Sequence, residues 1–330
     1  MTSIPLDRRR FLGLAGGAAL GVLVLGACGD DDAGDDAGDG AGASGGTREV
    51  TGDGGPVEVP ASPKRVVAAI GSFETDMVAV GIMPVLTTTF AGPWVELADD
   101  VVTTENIPPT AEELARVEPD LIIGWNWVTS EEVYDELVEI APYVGLGETE
   151  ATGGPGAVPD ATEPLKSWDR LFLSVCDAVG KRDEGERLVE ELEQRIDDVA
   201  AKRKDAPPLR VARVEFFEAG MFSYRGQNED TAELMRRIGI TVVGPDVTDN
   251  EASLETLPDI DADVIVVPVT GDASREELFA EIEKSPLWQA IPAVKAGRVE
   301  KVDYTLWPGL GHLWAGALLD DLERLFVASA

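Results

Sequence analysis

Along most of the chain, short runs that are apolar at every position alternate with longer stretches in which apolar residues recur every three or four positions. The first pattern suits strands buried on both faces and the second suits amphipathic helices, so the two together predict parallel sheets covered by helices. From residue 48 the order begins with a hairpin, "REVTGDGGPVEVP", and a buried strand over 65–70. Helix near 73–81, strand 84–89, helix 110–117, strand 121–125, helix 131–141 and a short strand 143–146 follow. Beyond a loop at 148–161, Trp168, Leu171, Phe172, Val175, Leu188, Leu192 and Ile196 recur at helical spacing in a charged stretch that runs to Lys204. Gly180 is expected to break or bend it; a helix of about 40 residues would be about 60 Å long, enough to bridge two domains. "DAPPL" stops it, and alternation resumes with strand 209–217, helix 231–238, strand 240–243, helix 254–258, strand 263–269, helix 275–284, strand 298–302 and helix 312–326.

One segment is written twice. "TAEELARVEPDLII" laid on "SLETLPDIDADVIV" pairs Glu112 with Glu255, Leu114 with Leu257 and Asp120 with Asp263, which predicts two lobes that share one helix-to-strand design. Thr110 and Glu113 have the spacing of a capping box. Glu112 and Glu255 fall at the second helical position, where the helix dipole favours a carboxylate by about 0.3–1 kcal/mol.

The amino-terminal stretch "LDRRRFLGLAGGAALGVLVLGAC" reads as an export signal: Arg8, Arg9 and Arg10, then an uncharged run to Ala27, then Cys28. "RRRFL" resembles a twin-arginine motif and "LGAC" a bacterial lipobox, which implies cleavage before Cys28 and its acylation. Lipid would then hold the exported chain on the outer face of the cytoplasmic membrane. The acidic segment "GDDDAGDDAGDGAGASGG" repels itself and lacks the closing Glu of a calcium-binding loop, so it is expected to be an extended tether. The domains read as signal peptide 1–27, tether 28–47, amino-terminal lobe 48–161, bridging helix 162–204 and carboxy-terminal lobe 205–330.

Composition narrows the chemistry. A net charge of −35 makes nucleic acid and bare anionic lipid poor partners. Beyond Cys28 only Cys176 remains and His312 is the single histidine, so no Cys/His metal cage is expected. Cys176 reads as core, and His312 as a packed or capping residue. There is no G-x-S-x-G elbow, phosphate loop, G-x-G-x-x-G or H-E-x-x-H, so no catalytic residues are assigned and no enzyme is expected. A hydrolase is the weaker rival class, and a surface scaffold or sensor of iron complexes the stronger one. Ligands of open α/β sheets lie beyond the carboxyl ends of the strands. The ligand-lining candidates are therefore Phe73, Trp94, Trp125 and Trp127 from the first lobe, and Phe222, Tyr224, Arg225, Tyr304 and Trp307 from the second. Trp168 and Trp288 are assigned to packing.

Taken in order, "ASPKRVVAAIGSFETDMVAVGIMPV", "EELARVEPDLIIGW", "EIAPYV" and "PLWQAIPAVKAGRVEKVD" resemble the siderophore-type solute-binding proteins of ABC importers, over residues 48–328. The resemblance implies a class III α/β fold, two Rossmann-like lobes with parallel sheets joined by one long helix that hinges little. It also implies a monomer with no intrinsic cofactor, a ferric siderophore as cargo, and a permease with its ATPase as partners. Glu112 and Glu255 match the carboxylates that meet permease arginines, and Glu74 matches a family residue with a ligand-facing or structural role. With Arg225 the one cation at a strand end, a neutral ferric hydroxamate resting on aromatic faces fits better than a tri-anionic catecholate. Cobalamin remains an alternative, as does haem through Tyr224, Tyr304, Met221 or His312.

Overall fold

The computed structural model describes residues 46–70, 73–88, 95–126, 130–147, 167–218, 221–224, 230–244 and 251–327. The signal, the tether including Cys28, and the loop 148–161 lie outside them. The predicted hairpin forms from β1 (Thr47–Gly52) and β2 (Gly55–Pro60), paired antiparallel from Thr47 with Pro60 to Gly52 with Gly55. The amino-terminal lobe follows as β3 (Val66–Ala68), α1 (Phe73–Ala79), β4 (Leu86–Thr88), β5 (Val102–Thr104), α2 (Ala111–Val117), β6 (Leu121–Trp125), α3 (Glu131–Val138) and β7 (Tyr143–Leu146). Its five strands are all parallel, in the order β5-β4-β3-β6-β7. Strand β5 has no counterpart in the sequence reading, because "VVTT" is too short and too polar on one side to announce itself.

The continuous apolar runs are explained by the two cores that they separate. Val66, Ala68, Leu121 and Ile123 enter one cluster, whereas Val67, Ala69 and Ile122 enter the cluster on the opposite face. Each Val, Leu or Ile side chain taken fully from water contributes about 1.5–3 kcal/mol.

The bridge is two helices. α4 (Trp168–Ala178) and α5 (Arg182–Arg203) are separated at Gly180, whose φ of 71° is the left-handed conformation that a Cβ disfavours. Trp168 packs in the core of the second lobe, while Leu171, Phe172, Val175 and Cys176 pack in the first. Leu192, Ile196 and Val199 of α5 return to the second. At 1.5 Å per residue the two helices run about 16 and 33 Å, so the strut is a bent pair rather than one rod.

The second lobe contains β8 (Arg210–Glu218), β9 (Met221–Tyr224), α6 (Asp230–Arg237), β10 (Thr241–Val242), β11 (Glu251–Ser253), β12 (Val264–Thr270), α7 (Ala273–Ile282), α8 (Pro286–Ala290), α9 (Pro292–Lys295), β13 (Val299–Asp303) and α10 (His312–Phe326). Strands β8, β10, β12 and β13 are parallel, as the alternation predicts. The expectation of a wholly parallel sheet is corrected at one edge, where β9 folds back antiparallel on β8 and β11 runs antiparallel to β9. The helix expected at 254–258 is a 3-10 turn over Leu254–Asp259, because Pro258 lacks the amide that an α-helix would need there. Trp288 is buried against Phe216 and Phe279, as packing predicts. Among the described residues, no helix is long and apolar enough to cross a membrane.

Candidate functional site

One contact ties the lobes directly and a second seats the bridge on the second lobe. α1 begins just past the carboxyl end of β3, and α10 begins past the carboxyl end of β13. The Asp76 Oδ1 of α1 accepts a hydrogen bond of 2.8 Å from the His312 amide at the start of α10. The Trp168 amide at the start of α4 donates at 3.2 Å to Asp230 Oδ1 of α6. The carboxyl ends of both sheets therefore belong to one inter-lobe region, where a ligand of such a fold lies.

On the first lobe, Phe73 and Trp125 are 0% and 1% exposed, with ring centroids 4.7 Å apart. Both sit in the first lobe's hydrophobic core. Trp125 is further held by its carbonyl, which accepts from Tyr143 Oη at 3.0 Å. Asn126, the next residue, is buried at the strand end. Glu74 is also fully buried; its Oε2 accepts from Thr87 Oγ1 at 3.3 Å, and burial pushes its carboxyl up to about 8. Trp94 and Trp127 lie outside the described residues.

On the second lobe, Trp307 is fully buried, and its indole Nε1 donates to Asp321 Oδ2 at 2.8 Å. It too sits in a hydrophobic core, that of the second lobe. Tyr304 is half-buried and carries a residue that the sequence reading missed. Arg275, in the first turn of α7, donates from Nη2 to Tyr304 Oη at 2.6 Å and from Nη1 to the Phe216 carbonyl at 3.2 Å. Its guanidinium carbon lies 3.6 Å from the Tyr304 ring centroid. The termini of β8, β12 and β13 thus converge on one stacked cation. Its only sequence signal was the turn "TGDASRE" after a buried strand, in which Asp272 caps the helix and Arg275 falls three positions later. Phe222 and Tyr224 lie on β9 and so belong to a strand rather than a loop; Arg225 lies outside the described residues.

A second missed pair is Arg213 with Glu215, a buried ion pair on β8. Charges two apart in "VARVE" share one face of a strand, and that spacing is the signal that could have found them. His312 is buried, stacked on Phe172 at 4.6 Å, and pushed down to about 4 by that burial, with Arg195 adding to the shift. His312 is thus packed, as the sequence predicts. No cluster of metal-binding side chains occurs among the described residues.

The repeated carboxylates also find matching places. Thr110 and Glu113 form the reciprocal capping box, and Glu112 beside them is exposed, its side chain paired with Arg116 at 3.2 Å. α2 starts on the side where β5 ends, at the carboxyl rim. Ser253 pairs with Met221, which pairs with Glu218 at the carboxyl end of β8, so the exposed Glu255 stands just past the equivalent rim of the second lobe.

Two α/β lobes that approach through the carboxyl ends of their sheets, tied by helices and with no strand shared between the sheets described, define a two-lobed solute-binding protein. The chain belongs to the periplasmic binding protein family, whose model matches residues 74–304. It is 28% identical to the "Probable siderophore-binding lipoprotein YfiY" of Bacillus subtilis (strain 168), over 93% of this chain and 95% of that protein. Its fold is similar to a periplasmic solute binding protein from Mycobacterium smegmatis, with TM-score 0.69, 20% identity, and coverage of 86% of this chain and 98% of that one. It is also similar to Staphylococcus aureus SirA complexed with staphyloferrin B, with TM-score 0.65, 24% identity, and 84% and 98% coverage. The family is one of solute-binding proteins, and its place in an ABC importer is as the component that presents substrate.

Proposed function

We propose that the protein is a lipid-anchored receptor that captures a ferric siderophore between its lobes and delivers it to an ABC permease and its ATPase without chemical change. The observation that carries this is the Arg275–Tyr304 stack where the second lobe's parallel strands end: a cation already held flat on an aromatic face can donate to metal-bound oxygens, while the ring meets the carbon shell of a chelate. Arg275 also alters the choice of ligand. With Arg225 it makes two arginines at that lobe's strand ends, so carboxylate-bearing ferric chelates stand beside the hydroxamates. The names of the relatives, siderophore-binding and complexed with staphyloferrin B, support the same class.

Titration of the purified protein with ferric citrate and ferric hydroxamates, followed by tryptophan fluorescence, tests the reading. Saturable quenching at submicromolar concentration is expected, and Arg275→Ala should weaken it about 10- to 100-fold, the loss of one or two charge-assisted hydrogen bonds. Unchanged affinity in Arg275→Ala together with loss in Arg225→Ala would move the anchor to the β9 loop. Turnover of an ester or glycoside without chelate binding would replace the receptor reading with a catalytic one.

A further inference from the structure

Two of the helices that pass between the lobes begin on a carboxylate from another element: α10 on one of the first lobe, and α4 on one of the second lobe, where its first residue is packed. α4 crosses from the second lobe's core, at Trp168, to the first lobe's core, and the Trp168 amide is taken by Asp230 of the second lobe. α10 follows the second lobe's last strand, and its first amide, from His312, is taken by Asp76 of the first. The first turn of a helix has amides with no partner in the helix, so an acceptor supplied from elsewhere ties the two elements together. Ordinary caps come from the residue just before the helix. Here that residue is Gly311 for α10, with no side chain to offer and a φ of 98°. For α4 it is Ser167, which makes no side-chain cap bond.

The junction around Asp76 is closely fitted. Asp76 is 1% exposed, and a Cβ at Gly311 would come within 2.6 Å of Asp76 Oδ1 and 2.8 Å of Thr75 Oγ1. Thus the glycine is what lets α10 approach α1. His312 is clamped in the same place, between Phe172 at 4.6 Å and Trp168 at 5.8 Å, both of them on α4. One histidine thereby touches the first-lobe cap through its amide and the bridging helix through its ring.

We infer that Asp76 is an inter-lobe latch, that Asp230 seats the start of the α4–α5 bridge on the second lobe, and that α10, held by Asp76, is a second strut that sets the separation of the lobes alongside that bent bridge. A bridge broken at Gly180 leaves a hinge there; a second strut latched to the first lobe removes it. Cleft width is then governed at a point outside the ligand contacts, by a helix at the far end of the chain.

The test uses the full chain with Cys28→Ser and spin labels at Glu136→Cys on α3 and Glu277→Cys on α7, both exposed. Cys176 is buried with its thiol pushed up by that burial, so it stays unlabelled. The unmodified latch should give one narrow inter-label distance. Asp76→Ala should broaden it and raise amide exchange in the first turn of α10 at least tenfold, whereas Asp76→Asn, which keeps an acceptor for the same amide, should restore both. Faster exchange in Asp76→Ala with an unchanged distance distribution would reduce Asp76 to a local cap and overturn the inference. Broadening by Asn as much as by Ala would also overturn it, since packing and not the bond would then be at work. If Asp76→Ala does not fold, Gly311→Ala, which pushes α10 off Asp76, should broaden the distance and raise exchange in the first turn of α10, with the same refutation.

Discussion

Glu74 and Asp76 sit two positions apart on α1 and face different partners, Glu74 towards Thr87 of β4 and Asp76 towards the α10 amide. Removal from water pushes each carboxyl up to about 8, against ordinary values of 4.5 and 3.8. The folded chain therefore keeps protons that the unfolded chain has released, and stability falls as pH rises through that interval, becoming level above about 8. His312, pushed down from 6.5 to about 4, acts oppositely, and its share of the slope ends by 6.5. Between pH 6.5 and 8 the two carboxyls stand unopposed, so urea unfolding should show stability declining with pH there. Glu74→Gln, which cannot ionise, should flatten roughly half of that decline, and an unchanged slope would place the ionisation elsewhere. The sequence shows two acidic residues in "SFETDM", but Asp76 finds its partner 236 positions later, a separation that no local pattern can encode.

Elements were legible wherever a local period and a local stop signal coincided. Thr110 with Glu113 predicted the capping box, and it forms, with the Glu113 carboxyl held down to about 2 first by the Thr104 hydroxyl and then by the Thr110 amide. Gly180 predicted a break in the bridge, and the break is braced: Arg48 of β1 donates to the Ala178 carbonyl at 2.6 Å, and a Cβ on Gly180 would meet the Ala61 carbonyl oxygen at 3.0 Å. Gly180→Ala should cost about 1–2 kcal/mol from left-handed backbone strain and lower the melting temperature by several degrees, as read by calorimetry. What could not be read were β5, the antiparallel turn-back of β9 and β11, and the 3-10 geometry before β12. Edge strands are short and only half-covered, so pairing with neighbours selects them rather than their own composition.

For the whole molecule the doubled Glu motif is the feature with the longest reach. Glu112 and Glu255 sit exposed at the carboxyl rims of separate sheets, and the dipole at the start of α2 already favours a negative charge at Glu112. Both are accessible to a basic partner without disturbing the ligand region. Charge reversal at both positions should abolish iron uptake by cells while leaving chelate affinity within about twofold, because each is a rim charge. Loss of affinity in the purified double variant would place these residues at the ligand instead. The surplus of acidic over basic residues, net −35, suits a partner presenting arginines.

The sequence alone determined which segments are buried strands and which are covering helices, because that information is local: an apolar run or a period near 3.6 is complete within a dozen residues. It also determined that the design occurs twice, and it marked Gly180 and the two glutamates. Only the tertiary structure decided that Phe73, Trp125 and Trp307 are buried in the cores, and that Arg275 stacks on Tyr304. It alone paired Asp76 with the last helix. Each of these depends on which distant strand ends are brought side by side, and burial and contact are properties of the packed sheets rather than of any one stretch of chain.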